Sequence, residues 1–251
     1  MESAKQTSAQ TADQTAHQTV IVMGGSSGIG LATVQRLAAA GARVIATGRD
    51  RGKLDKALAD LGERVRGEAF DSGERGALDA FFSRLGRFDH LVLALSGSEG
   101  AGEFAGLDLA ALRRGFEGKF WPQMEAAQAC LPALRRGGSI TFVSAISARM
   151  ANPGTAGLAA INGAIEAMIG SLARELKPSR VNAVSPGVID TPWWDRVPAA
   201  FKADIFRQQA ESLPVGRVGQ ADDVAQAIQF LIGNPFMTGA VIECDGGMRL
   251  L

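Results

Sequence analysis

Met23-Gly24-Gly25-Ser26-Ser27-Gly28-Ile29-Gly30 is the stretch that decides the fold. It follows Thr19–Met23, a short apolar run with β-branched residues that reads as a strand. It leads into Ile29–Ala40, whose apolar residues recur at helical spacing up to Gly41. Glycines between a strand and a helix let the backbone turn tightly and approach a pyrophosphate resting on the helix N-terminus. The spacing is G-x-x-x-G-x-G rather than the commoner G-x-G-x-x-G. A bare glycine loop carries little weight. Placed after the first strand of an unbroken βα array, it points to a nucleotide; the alternative is a tight turn with no ligand.

Outward from that loop, strand and helix alternate to the end of the chain. Strands are expected at Arg43–Thr47, Arg64–Phe70, Phe88–Leu95, Ser139–Ser144, Arg180–Val184 and Ala240–Glu243. Helices are expected at Arg51–Leu61, Glu74–Leu85, Ala105–Arg136 with Pro122 as a kink or break, Thr155–Leu176 and Ala221–Ile232. Phe88–Leu95, with Asp89 and His90 near its start and an unbroken apolar run from Leu91 to Leu95, is read as a strand buried on both faces. The pattern predicts a single α/β domain: a Rossmann-type, doubly wound parallel sheet of about seven strands with helices on both faces. It spans residues 19–251, behind a polar tail at 1–18 that is too poor in apolar residues to order itself.

At 251 residues the chain is long enough to bury a sizeable core. Lys+Arg 26 balances Asp+Glu 26, which gives no electrostatic reason to expect nucleic acid or an anionic membrane. Two Cys (Cys130 and Cys244) and two His have no metal-ligand spacing, so no metal site is expected. No apolar run is read as reaching the roughly 20 residues of a bilayer span. The polar N-terminus does not read as a secretory signal. A cytoplasmic protein is expected.

These motifs together resemble the short-chain dehydrogenase/reductase family, over roughly Gln18 to the C-terminus. The resemblance implies a nicotinamide cofactor held by Gly24, Ser26, Ser27, Gly28, Ile29 and Gly30 of the loop. It implies Asp71 at the adenine amino group and Pro186, Gly187 and Val188 flanking the nicotinamide. The family's Asn-Asn-Ala-Gly-like turn after the fourth strand reads Ala94-Leu95-Ser96-Gly97 here, which keeps the Gly97 but not the amides and leaves Ser96 or backbone groups to line the ribose. Thr191 stands where a Thr often reaches the carboxamide or phosphate, and Asp245-Gly246-Gly247 follows the last strand as in many members. NAD users of this fold usually place an acid at the end of the second strand. That position is Gly48, and Arg49 follows it, suited to a 2′-phosphate. NADP(H) is therefore favoured over NAD(H); Asp50 is a competitor for Arg49, and a solvated loop charge is the alternative.

The family's proton chemistry runs through a Tyr, a Lys four residues later, a Ser and an Asn. The chain has no tyrosine. Flanking motifs put Leu158 at the Tyr position, Asn162 at the Lys position, Ala145 at the Ser position and Lys119 at the Asn position. Leu cannot donate a proton or a hydrogen bond. Lys119 and Ser144 are the candidate catalytic groups, Lys119 as a replacement for the lost cation or as an ordinary surface lysine, Ser144 as catalytic or structural. Ser147 is the other Ser a small register slip would offer. Asn162 is a candidate ribose ligand through its amide. Arg149 is either a surface charge or a site for an acidic substrate; His90, early in a buried strand, is read as remote from the chemistry. Trp193, Trp194 and Val197–Leu213 occupy the region that covers the substrate in the family, which suggests a large or apolar small-molecule ligand; a helix-packing or oligomer contact is the alternative.

Three functions remain open at this point. One is a non-standard hydride-transfer oxidoreductase with a rebuilt proton donor. Another is a non-catalytic NADP(H) sensor. The third is a structural subunit of an oligomer. The resemblance also implies a homo-oligomer, dimer or tetramer.

Overall fold

A computed structural model describes residues 15–97 and 99–251. The strands are β1 (Thr19–Met23), β2 (Arg43–Gly48), β3 (Val65–Ala69), β4 (Phe88–Leu93), β5 (Leu134–Val143), β6 (Arg180–Pro186), β7 (Ile189–Asp190), β8 (Gly219–Gln220) and β9 (Val241–Cys244). The helices are α1 (Gly28–Ala39), α2 (Arg51–Leu58), α3 (Arg75–Leu85), α4 (Leu109–Ala129), α5 (Ala156–Glu175), α6 (Ala199–Ser212) and α7 (Ala221–Gly233).

Seven strands pair in the order β3-β2-β1-β4-β5-β6-β9, every pair parallel. The expected doubly wound sheet is present. Alternation along β1 shows how both faces become core. Ile21 and Met23 pack with Phe81, Leu91, Phe142, Ile165 and Ile169 under α3, α4 and α5. Val20 and Val22 pack with Val34, Leu37, Val92, Val184 and Ile228 under α1, α2 and α7. Strand order reverses between β1 and β4, so the crevice at their carboxyl ends is the expected ligand position.

Three local readings are corrected. The helix expected over Ala105–Arg136 ends at Ala129, and Leu134 already begins β5. Leu131 and Leu134 mimic helical spacing, but residues 135–137 are the exposed start of a strand that is buried only from Gly138 onward. Pro122 sits inside α4 without dividing it. Finally, α5 is long and apolar enough by composition for a membrane span. The sequence reading missed this. Here its Ile161, Ile165 and Ile169 are buried in the domain.

Of the polar tail expected at 1–18, residues 1–14 lie outside the described residues. Residues 15–18 pack on the domain: Thr15 is buried, His17 N donates to Gly41 O at 3.2 Å, and Gln18 bonds His90.

Candidate functional site

The glycine loop is shaped by close approach. Gly24 and Gly28 have φ of +81° and +52°, a region that side chains disfavour. A Cβ on Gly25 would stand 2.7 Å from the Ala46 Cβ, and one on Gly30 would run into the Gly24 carbonyl. Gly25 N donates to Thr47 O at 2.9 Å, which ties the loop to β2. Ser27 precedes α1 in an extended conformation without capping it, and no acid stands in the first turn. The first N–H groups of α1, including those of Ile29 and Gly30, therefore lack a capping side chain, the arrangement that takes a phosphate.

Gly48 at the end of β2 lies against Ser26, whose Oγ is 3.3 Å from the place of a Cβ. Arg49 is exposed and forms no ion pair among the described residues. Asp50 is engaged elsewhere, as the N-cap of α2, accepting from Lys53 N at 2.9 Å. Asp71 is exposed and accepts from Gly73 N through one carboxylate oxygen. Ser96 donates to Gly97 O at 3.2 Å.

Across the crevice, Pro186 ends β6, and Gly187 N donates to Cys244 O at 3.1 Å. A Cβ on Gly187 would meet the Asp245 backbone at 2.9 Å. Asp245 in turn accepts from Gly247 N and Arg249 N, which folds the C-terminus beneath this turn. Val188 packs on Ile146, Leu213 and Met248, and Thr191 packs on Gly28. Trp193 roofs the crevice: its Nε1 donates to Gly97 O at 3.1 Å, joining the segment after β6 to the end of β4. Trp194 stacks edge-on against Trp193 and Phe206 and donates to Ile189 O.

The remaining candidates converge at the carboxyl end of β5. Lys119 reaches from α4 and donates from Nζ to Ser144 O at 2.9 Å. Burial pulls its amine from an ordinary 10.5 down to about 8, partly opposed by the charge of Glu166. One turn along α4, Gln123 donates to Leu95 O and Val143 O, so α4 fastens the ends of both β4 and β5. Asn162 is buried; its Nδ2 donates to Ser147 Oγ and Leu158 O, and its Oδ1 has no partner among the described residues. Leu158 is half-buried at the start of α5, and Ala145 follows Ser144 in extended backbone.

Sequence reasoning missed Glu166. It lies one turn after Asn162, with 9% of its side chain exposed. Oε1 accepts from Ser144 Oγ and from Ser185 Oγ, both at 2.7 Å; Oε2 accepts from Arg149 Nε at 2.7 Å. Arg149 also pairs with Glu243 at 2.9 Å. In sequence, Glu166 is an ordinary helix charge, because its partners are 17 to 22 residues away. His90 sits at the opposite end of the sheet. It bonds Ser139 and Gln18, and burial holds it down at about 4.

Comparison with known proteins bears on the fold and the family. Residues 24–249 match the family model described as enoyl-(acyl carrier protein) reductase. A cis-4-hydroxycyclohexanecarboxylate dehydrogenase from Sinomonas cyclohexanicum is 32% identical, over 92% of this chain and 96% of its own length. A 3-oxoacyl-[acyl-carrier-protein] reductase from Thermotoga maritima is 29% identical, over 91% and 96%. A solved small-chain dehydrogenase in complex with NADPH is 33% identical, with a TM-score of 0.79 over 94% of this chain and 100% of its own. A short-chain dehydrogenase/reductase from Brucella melitensis superposes with a TM-score of 0.85 at 29% identity, over 93% of this chain and 97% of its own. The glycine loop, the parallel sheet and these relatives agree: the chain belongs to the short-chain dehydrogenase/reductase family of oxidoreductases.

Proposed function

We propose that this protein binds NADP(H) and exchanges hydride with a carbonyl- or imine-class small molecule, with Lys119 as proton donor in place of the phenol the chain lacks. The observation that carries the reading is the Lys119 amine at the end of β5, 2.9 Å from Ser144 O and held near pKa 8. A general acid works best with a pKa near the operating pH. The family pattern has an amide at position 119 and a lysine at 162. Here Lys119 and Asn162 carry the same two groups in exchanged places. The cation has moved from α5 to α4, and the amide has moved the other way.

The residues present suit the nucleotide. The cradle leaves no room for side chains at Gly25 and Gly30, and Asn162 Oδ1 is a buried acceptor without a donor among the described residues, matched to a ribose hydroxyl. Arg49 and Ser26 would take the 2′-phosphate that distinguishes NADP(H), since Asp50 is occupied in capping α2. The bound nucleotide supplies the hydride. Lys119 gives or takes the proton, Ser144 anchors Lys119, and Trp193 excludes water over the crevice. We place the protein in the cytoplasm on its two free cysteines, and as a dimer or tetramer on exposed apolar side chains such as Trp121 and Phe236.

A second reading, a non-catalytic NADP(H) sensor, is favoured by Trp193 bridging to Gly97 where a substrate would enter, beside a Leu158 that cannot donate. Calorimetric titration with NADPH and NADH, followed by turnover with aldehydes, ketones, quinones and imines, separates the two. Tight NADPH binding with turnover supports the enzyme. Tight binding without turnover supports the sensor. No binding of either nucleotide refutes both.

A further inference from the structure

Taking Lys119 as the site's proton carrier, we propose that Glu166 is the positioning residue of that site: it fixes the end of β5 to which Lys119 is anchored. Ser144 joins the two groups. Its carbonyl accepts from Lys119 Nζ at 2.9 Å, and its hydroxyl donates to Glu166 Oε1 at 2.7 Å. The same carboxylate oxygen accepts from Ser185 Oγ on β6, while Oε2 takes Arg149. One side chain thus ties two adjacent strand ends and the turn after β5 to α5, one helical turn beyond Asn162. A buried carboxylate at this position would be costly unless its lone pairs were taken, and three donors take them. The hydroxyl proton of Ser144 is committed to Glu166, which leaves Ser144 as the link between carboxylate and amine.

Glu166 also sets the field at Lys119. The charged groups facing the cluster are Glu166 from α5, Arg149 from the turn after β5 and Glu243 from β9. Glu166 acts on the amine directly, and Arg149, held between Glu166 and Glu243, bears on it through the carboxylate it offsets.

The test reads Lys119 directly and needs no substrate. The pH dependence of Lys119 acetylation by acetic anhydride is followed by mass spectrometry in wild type, Glu166→Gln and Arg149→Met. Glutamine keeps the shape and a hydroxyl acceptor but removes the negative charge. The midpoint is expected to fall from about 8 by about one pH unit, which makes Lys119 about five-fold more reactive at pH 7. In Arg149→Met, which removes an exposed cation, the midpoint is expected to rise; this arm decides the matter if the glutamine variant does not fold. Turnover is expected to fall in Glu166→Gln with NADPH affinity unchanged. An unmoved midpoint in folded Glu166→Gln, or in Arg149→Met, overturns the proposal. Shifted midpoints in a protein that never oxidises NADPH would leave Glu166 as the organiser of Lys119 and refute only the catalytic reading.

Discussion

Lys119→Met should change how stability responds to pH, in a direction fixed by the structure. The amine has an ordinary pKa of 10.5 and is held at about 8 in the folded chain. That drop corresponds to roughly 3 kcal/mol against the charged form. Partial contact of the side chain with solvent reduces it to about 1–2 kcal/mol. The sign follows from proton counting. Between about pH 8 and 10.5 the unfolded chain binds more protons at this residue than the folded one, so wild-type stability rises with pH across that window. Below pH 8 the lysine is charged in both states and the folded protein carries the whole cost. The methionine variant also loses the bond to Ser144 O, about 1–2 kcal/mol, and any weakening of that bond on deprotonation is already contained in the folded pKa of about 8. Denaturant unfolding of both proteins at pH 7 and pH 10 therefore gives a double difference in which other titrating groups cancel. Wild type is expected to gain about 1–2 kcal/mol on the variant between the two. A double difference of zero, or of the opposite sign, refutes the account of Lys119 as a desolvated cation.

Other outcomes follow from single contacts. Arg49→Ala should weaken NADPH by about ten-fold and leave NADH nearly unchanged, as expected for one charge-assisted contact to a 2′-phosphate; equal loss for both nucleotides would contradict that role. Asn162→Leu should weaken NADPH and NADH alike by about ten-fold, since the ribose is common to both. Trp193→Phe removes the donor to Gly97 O, worth about 1 kcal/mol, and hydrogen exchange in residues 189–196 should quicken about five-fold; unchanged exchange would show that the roof is held otherwise.

Much of the fold was legible because the sheet is parallel. Strands buried on both faces read as continuous apolar runs, and the glycine loop marked where the first strand meets its helix. The errors arose where periodicity misleads. Leu131 and Leu134 share a helical spacing across a helix end, and in β5 the buried Leu134 is followed by three exposed residues that carry no alternating pattern. The pair β7 and β8 consists of two residues each, too short for any periodic signal. Residues on one loop or one helix, such as Gly24 to Gly30 and Leu158 with Asn162, are assigned from the loop pattern and from the flanking motifs of the family resemblance. Glu166 could not be placed in this way. Its partners Ser144, Arg149, Ser185 and, through Arg149, Glu243 come from different strands and turns, and only the closed sheet brings them to one carboxylate.

The most direct test of the rebuilt site is the pH profile of NADPH-dependent carbonyl reduction in single turnover, for wild type and Lys119→Met. Wild-type rate is expected to fall as pH rises through about 8, where Lys119 loses its proton, and the variant to be about 10²–10⁴-fold slower with a flat profile. A variant that keeps the wild-type rate and profile, or a wild type that binds NADPH and never oxidises it above background, would contradict the claim.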